Sequence, residues 1–231
     1  MNICIILTSN INGTNVRYDS DQNKNRKEKI NLYVDKVRKW LEYTKLKIVL
    51  IENSGYTFPE LPENNDRFER ITFTYKSIPA IDSHNLLYSK SKGYQEIYAI
   101  RYAFFNSQLL KSATHIIKIT GRYFLPNFEE IINKLVNKNT LFIKQNEENK
   151  CEIVGCKSNI FDYHFRYPPL DPYVEYHYSS QIKKYFTVNP QKKVSNRFIL
   201  TLPKINLDET TLTGHWNLKN GKRITPERNY L

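Results

Sequence analysis

Three short runs, Ile3–Leu7, Leu46–Ile51 and His115–Ile119, are dominated by aliphatic residues with no polar alternation. A strand of that kind needs cover on both of its faces, which is the situation inside a parallel sheet. Between the runs the period changes. Ile30, Val34, Val37, Trp40 and Leu41 recur at helical spacing and predict a helix over about 27–43. Ile97, Ile100, Tyr102, Phe104 and Leu109 predict one long helix over 93–110. Pro126-Asn127 opens a further helix over about 128–136, with Glu129 and Glu130 in the first turn, where the helix dipole favours them. The pattern is strand–helix alternation, so the first 140 residues predict an α/β class with a mostly parallel sheet flanked by helices.

The remaining elements are weaker. Residues 70–75 predict a third central strand, and 141–144 and 151–156 two more, whereas 56–66, with Pro59 and Pro62, reads as loop. Residues 172–186 predict a helix, 197–202 a strand, and the tail after Asp208 a loop. The chain thus divides into a regular half, about 1–145, and a less regular half, about 146–231, within one domain of 231 residues.

Composition narrows the function classes. A 40% hydrophobic content with 17 Tyr and 12 Phe supports a packed core, and no run reaches the length of a membrane span. Cys4, Cys151 and Cys156 form no disulfide or zinc spacing and suit a reducing compartment. With no leader pattern in the first residues, the expected location is cytoplasmic, with peripheral membrane contact left open. The formal charge of +12 favours anionic partners, and the basic residues are spread along the chain.

In open parallel sheets ligands bind outside the carboxyl ends of the strands. Four segments fall after strands or before helices: Thr8-Ser9-Asn10, Glu52-Asn53-Ser54-Gly55, Ser91-Lys92-Gly93 and Thr120-Gly121-Arg122-Tyr123. Together they hold hydroxyls, glycines, a carboxylate and two cations, the inventory for a nucleoside diphosphate. Each alone also reads as an ordinary turn or helix start.

The order IVLIENSG, SKGYQEIYAIRYAF, THIIKITGRYFLPNFEEI resembles the nucleotide-sugar-binding half of glycosyltransferases with the GT-A fold, over roughly residues 1–160. The resemblance implies a GT-A-like, Rossmann-like sheet and a donor site at Thr8, Ser9, Glu52, Asn53, Lys92, Gly93, Thr120, Gly121 and Arg122. It implies a UDP-, GDP- or dTDP-sugar donor and a glycan, protein or lipid-linked acceptor, with no nucleic acid expected and the oligomeric state open. Where the family has Asp-x-Asp, which holds a divalent metal on the donor phosphates, this chain has Thr120-Gly121-Arg122. The expectation is that Arg122, with Lys92, replaces the metal's charge, so that no cofactor is required, although Mn or Mg stays open. The competing reading pairs Arg122 with Glu96 or Glu129.

In that family the general base lies after the Asp-x-Asp strand. Asp162, Asp171, Glu175 and Asp208 are the candidates here, with Glu175 first and Asp171 second. Phe161, Tyr163, Phe165, Tyr167, Tyr173, Tyr176 and Tyr178 form either an acceptor-stacking surface or a core seam. His215 is a candidate donor-phosphate contact, set against a simple packing role for its neighbour Trp216. Two rivals remain: a catalytically inactive GT-A-like binding domain, and a basic nucleic-acid-binding protein.

Overall fold

The computed structural model describes residues 1–12, 22–74, 92–145, 151–166, 174–189, 198–202, 215–216 and 223–224. The chain runs β1 (Ile3–Ser9), α1 (Gln22–Tyr43), β2 (Lys47–Glu52), β3 (Phe68–Thr72), α2 (Lys92–Asn106), α3 (Gln108–Lys111) and β4 (His115–Thr120). It continues through α4 (Phe128–Leu135), β5 (Phe142–Lys144), β6 (Ile153–Lys157), a short 3-10 turn at Ser158–Ile160, α5 (Phe161–His164), α6 (Val174–Val188), β7 (Ile199–Thr201), β8 (His215–Trp216) and β9 (Arg223–Ile224).

Seven strands form one sheet in the order β3-β2-β1-β4-β6-β5-β7. β6 runs antiparallel to β4 and β5, and the other paired neighbours are parallel. The expected mostly parallel α/β sheet is therefore present. Helices cover both faces, as the unalternating strands require. One face packs Ile5, Leu7, Leu50 and Ile119 against Val37 and Trp40 of α1 and Phe128 of α4. The other packs Ile6, Val49 and Ile116 against Ile97, Ile100 and Ala103 of α2, and Phe142 and Cys156 against the aromatic residues of α5 and α6.

Trp40 fixes α1 to the sheet. It is fully buried between Phe124 and Phe128, edge-on to both at 5.3 and 5.7 Å, and its Nε1 donates to the Tyr123 carbonyl at 2.9 Å. The indole thus fills volume and also satisfies its one donor, which is what a buried tryptophan needs.

Three expectations need correction. The single helix over 93–110 is two helices, α2 and α3, broken at Ser107. The Ser107 hydroxyl accepts from Leu110 N, and the Glu69 carboxylate on β3 accepts from Gln108 N and Leu109 N. A cap supplied from another strand outweighs continuous helix propensity. The third strand begins at Phe68 because Asn65 Oδ1 accepts from the backbone of both Arg67 and Phe68 and fixes the preceding turn. The tail expected as loop contains the two-residue antiparallel pair β8–β9.

Candidate functional site

The strand order changes direction at β1: the chain passes from β1 outward through β2 to β3, then returns to place β4 on the other side of β1. At such a switch point the connections diverge and leave a crevice at the strands' carboxyl ends. Here that crevice lies between Ser9 and Thr120. Thr8 is paired with both Ile51 and Thr120, so Thr8, Ser9, Glu52, Asn53, Thr120, Gly121 and Arg122 come to one edge of the sheet around β1.

Gly121 sets how closely the crevice closes. Its N donates to the Thr8 carbonyl at 2.9 Å, and a Cβ built there would stand 2.7 Å from that oxygen and 3.2 Å from the Tyr33 ring. Only glycine permits this approach of the β4 turn to β1. Tyr33 of α1 therefore belongs to the crevice. Its helical spacing reads as core, and sequence reasoning passed it over. Burial raises the Tyr33 phenol above its ordinary range, with Arg122 pulling it down and Glu52 and Glu96 pushing it up.

The polar residues at this edge fall into two kinds. Glu52 is fully buried and committed. Its carboxylate accepts from Ile11 N at 2.9 Å, Ser54 N at 2.8 Å, Tyr56 N at 2.8 Å and the Ser54 hydroxyl. The Ser9 hydroxyl donates to the Ile51 carbonyl at 3.0 Å. Arg122, in contrast, has no ion pair among the described residues. Its Nε is buried without a hydrogen-bond partner and its guanidinium lies 5.3 Å from the Tyr123 ring centroid. The carboxylates named as its rivals are engaged elsewhere: Glu96 pairs with Lys118, and Glu129 accepts from Lys45 N. Asn10 Oδ1 and Asn53 Oδ1 are also buried without partners.

The start of α2 is tied to the end of β4 through Glu96, which pairs with Lys118, and Lys118 in turn reaches the Thr120 hydroxyl. A Cβ on Gly93 would stand 2.5 Å from the Val174 Cβ, so the N-terminal ends of α2 and α6 meet. Glu175 follows Val174 in that first turn of α6. The side chains of Lys92, Glu175 and His215 lie outside the described residues, as do Asp171 and Asp208 entirely. Asp162 is engaged by Arg101 at 3.0 Å. Of the aromatic cluster, Phe161, Phe165 and Tyr178 are buried in the core, Phe161 stacked on Phe104 at 3.8 Å, so those three rings form a seam and present no face to an acceptor.

No family model matches the chain, and no curated protein does. Among solved structures, a protein from Desulfovibrio desulfuricans G20, whose name proposes it as a nucleotide-diphospho-sugar transferase, is similar with a TM-score of 0.43 and 11% identity. The match covers 81% of this chain and 77% of that one. The fold class rests on the strand order and register above and takes nothing from this likeness.

The donor set at the end of β4 does not fit a divalent metal. A hard cation needs several oxygen ligands, usually carboxylates. Thr120, Gly121 and Arg122 offer no carboxylate, and an unpaired guanidinium repels a dication. Among the described residues no three His, Cys, Asp or Glu side chains converge. Among the same residues no helix is long and apolar enough to cross a membrane.

A cleft of about 570 Å³ lies elsewhere, where the C-terminal end of α1 meets α4. Thr44 in its wall leads into the amino end of β2, so this cleft is at the opposite edge of the sheet. At the carboxyl edge, Asn10 Oδ1, Asn53 Oδ1 and Arg122 Nε are buried polar atoms without a hydrogen-bond partner among the described residues.

One further buried imidazole stands apart from the crevice. His164 of α5 is enclosed by Phe142, Phe165 and Tyr178, and neither ring nitrogen has a hydrogen-bond partner. Burial, with His177 adding to it, lowers its pKa to about 3. It is a neutral core residue at physiological pH.

Proposed function

We propose that this chain is a glycosyltransferase that takes its sugar from a nucleoside-diphosphate sugar and neutralises the leaving diphosphate with Arg122 in place of a metal. The observation that carries this reading is the Arg122 guanidinium at the switch point, its buried Nε without a hydrogen-bond partner and without an ion pair among the described residues, beside a glycine that cannot take a side chain. A buried guanidinium Nε with no partner is costly unless a ligand supplies the acceptor. The end of a parallel sheet at its switch point is where such folds bind ligands, and a guanidinium matches two oxygens of a diphosphate.

In the inverting form of the reaction, the acceptor hydroxyl attacks the anomeric carbon and its proton passes to a carboxylate. The bond from that carbon to the diphosphate oxygen breaks, and the electron pair leaves with the diphosphate. Arg122 stabilises the charge that develops there. Glu175, with Asp171 as the second choice, is the proposed base. Thr8, Asn53, Lys92 and Gly93 complete the proposed donor contacts, and Ser9 and Glu52 shape the loop around them. His215 is carried as a proposed phosphate contact from the tail.

The test is thermal stabilisation by UDP-, GDP-, CDP- and dTDP-sugars, each with Mn²⁺ and with a chelator. Ligand at 100 times its dissociation constant adds about 2.7 kcal/mol. A shift with one nucleotide that survives chelation supports the reading, and slow hydrolysis of that donor separates an enzyme from an inactive binding domain. A shift that requires Mn²⁺ rules out the role given to Arg122. No shift with any nucleotide sugar, beside a clear shift with single-stranded nucleic acid, overturns the whole reading.

A further inference from the structure

The buried end of β4 carries a lysine that the transferase reading does not use. Lys118 stands between Ile6 of β1 and Val154 of β6, with no exposed side-chain surface. Its ammonium has three hydrogens to place. It donates hydrogen bonds to the Cys151 carbonyl at 2.8 Å and the Thr120 hydroxyl at 3.3 Å, and forms an ion pair with Glu96 Oε1 at 2.5 Å. Each belongs to a different piece of the fold. Glu96 is near the N-terminus of α2, Cys151 precedes β6, and Thr120 ends β4.

A buried ion pair is poor evidence of a stability role, because a methionine of similar volume packs there without the desolvation penalty. What the ammonium does that a methionine cannot is fix three separate segments at one point. Two of them are the segments that border the crevice: the start of α2, with Gly93, and the end of β4, one turn before Arg122. We infer that Lys118 is a positioning residue of the donor site. With Glu96 it holds the N-terminus of α2 at a set distance from the Arg122 turn, so that both face the same diphosphate. Burial alone would drive the ammonium towards neutrality, but the Glu96 carboxylate, with Cys151 and Glu152 adding to it, leaves the Lys118 pKa raised.

The inference rests on the donor-site reading, and the test separates the two. Lys36 of α1 is the control, since it is equally buried and pairs with Asp35 at 3.0 Å. Affinity for the nucleoside diphosphate selected by the thermal panel is measured by titration calorimetry, and stability by urea unfolding, for the wild type, Lys118→Met, Lys118→Met/Glu96→Gln, Glu96→Gln and Lys36→Met. Lys118→Met is expected to lose both stability and about tenfold or more in affinity, the worth of a charge-assisted contact. The double variant, with no charged carboxylate left unpaired, is expected to recover stability but not affinity. Glu96→Gln keeps an oxygen for the ammonium and is expected to stay folded and bind several-fold more weakly, which serves if Lys118→Met does not fold. Lys36→Met is expected to lose stability alone. Affinity that follows stability through the whole series, or Lys118→Met binding like the wild type, overturns the inference. A wild type that binds no nucleoside diphosphate overturns the donor-site reading with it, and the wild-type titration by itself tells the two failures apart.

Discussion

The ends of β2 and β4 face the same edge of the sheet, and each presents a charged side chain beside a tight turn. Glu52 at the end of β2 is surrounded by its own chain: three backbone N–H groups and a serine hydroxyl donate to it. Arg122 just past β4 is half-buried and has no such company. The same kind of position in the fold therefore holds one charge that organises the loops and one without an ion pair among the described residues. A charge at a strand end says little by itself, and its hydrogen-bond partners decide which kind it is.

The largest expected effect is at the closed end. Glu52→Ala strips the acceptor from three backbone donors and should cost about 3–5 kcal/mol in urea unfolding. A loss under about 1 kcal/mol would mean that the β2 end is as open as the β4 end, and the contrast would fall.

Next comes the glycine that joins the β4 end to β1. Gly121→Ala places a methyl group against the Thr8 carbonyl and the Tyr33 ring. Overpacking of that kind should cost about 1–3 kcal/mol and should weaken nucleotide binding as well, because the crevice opens. A variant that unfolds like the wild type would show that the turn has slack.

A smaller effect sets the pH at which these comparisons are made. His164 has its folded pKa lowered to about 3 from 6.5. The unfolded chain then binds the extra proton first, so the stabilising effect of the neutral imidazole is complete above about pH 6.5 and is lost as the pH falls towards 3. At pH 5.5 the expected loss is about 1.4 kcal/mol. His164→Leu should flatten that part of the stability profile. A slope that persists in the variant would assign it to another group, His115 first, whose pKa burial also lowers.

Much of the sheet was legible because buried parallel strands leave a plain record. The aliphatic runs at Ile3–Leu7, Leu46–Ile51 and His115–Ile119 lie within one or two residues of β1, β2 and β4. The break between α2 and α3 was not legible, because its cap is Glu69, about forty residues away in sequence and adjacent only in the fold. The same holds at the crevice. Thr120-Gly121-Arg122 could be picked out as a turn after a strand. Tyr33 and Lys118 could not, since one sits in an ordinary helical stripe and the other interrupts an apolar run whose pairing partners lie on other strands. The distinction between Glu52 and Arg122 was equally hidden, because partners are a tertiary property.

The most direct measurement of the central claim is nucleoside-diphosphate affinity in chelator at pH 7.5 for the wild type and Arg122→Ala, with urea unfolding of both. Among the described residues Arg122 has no ion pair to lose, only the Tyr123 ring beside it, so the expected change in stability is within about 0.5 kcal/mol. The expected loss of affinity is about 10- to 150-fold, the worth of a hydrogen-bonded charge facing phosphate. Unchanged affinity, or a loss of stability of several kcal/mol with affinity intact, would contradict the account and make Arg122 a structural residue like Glu52.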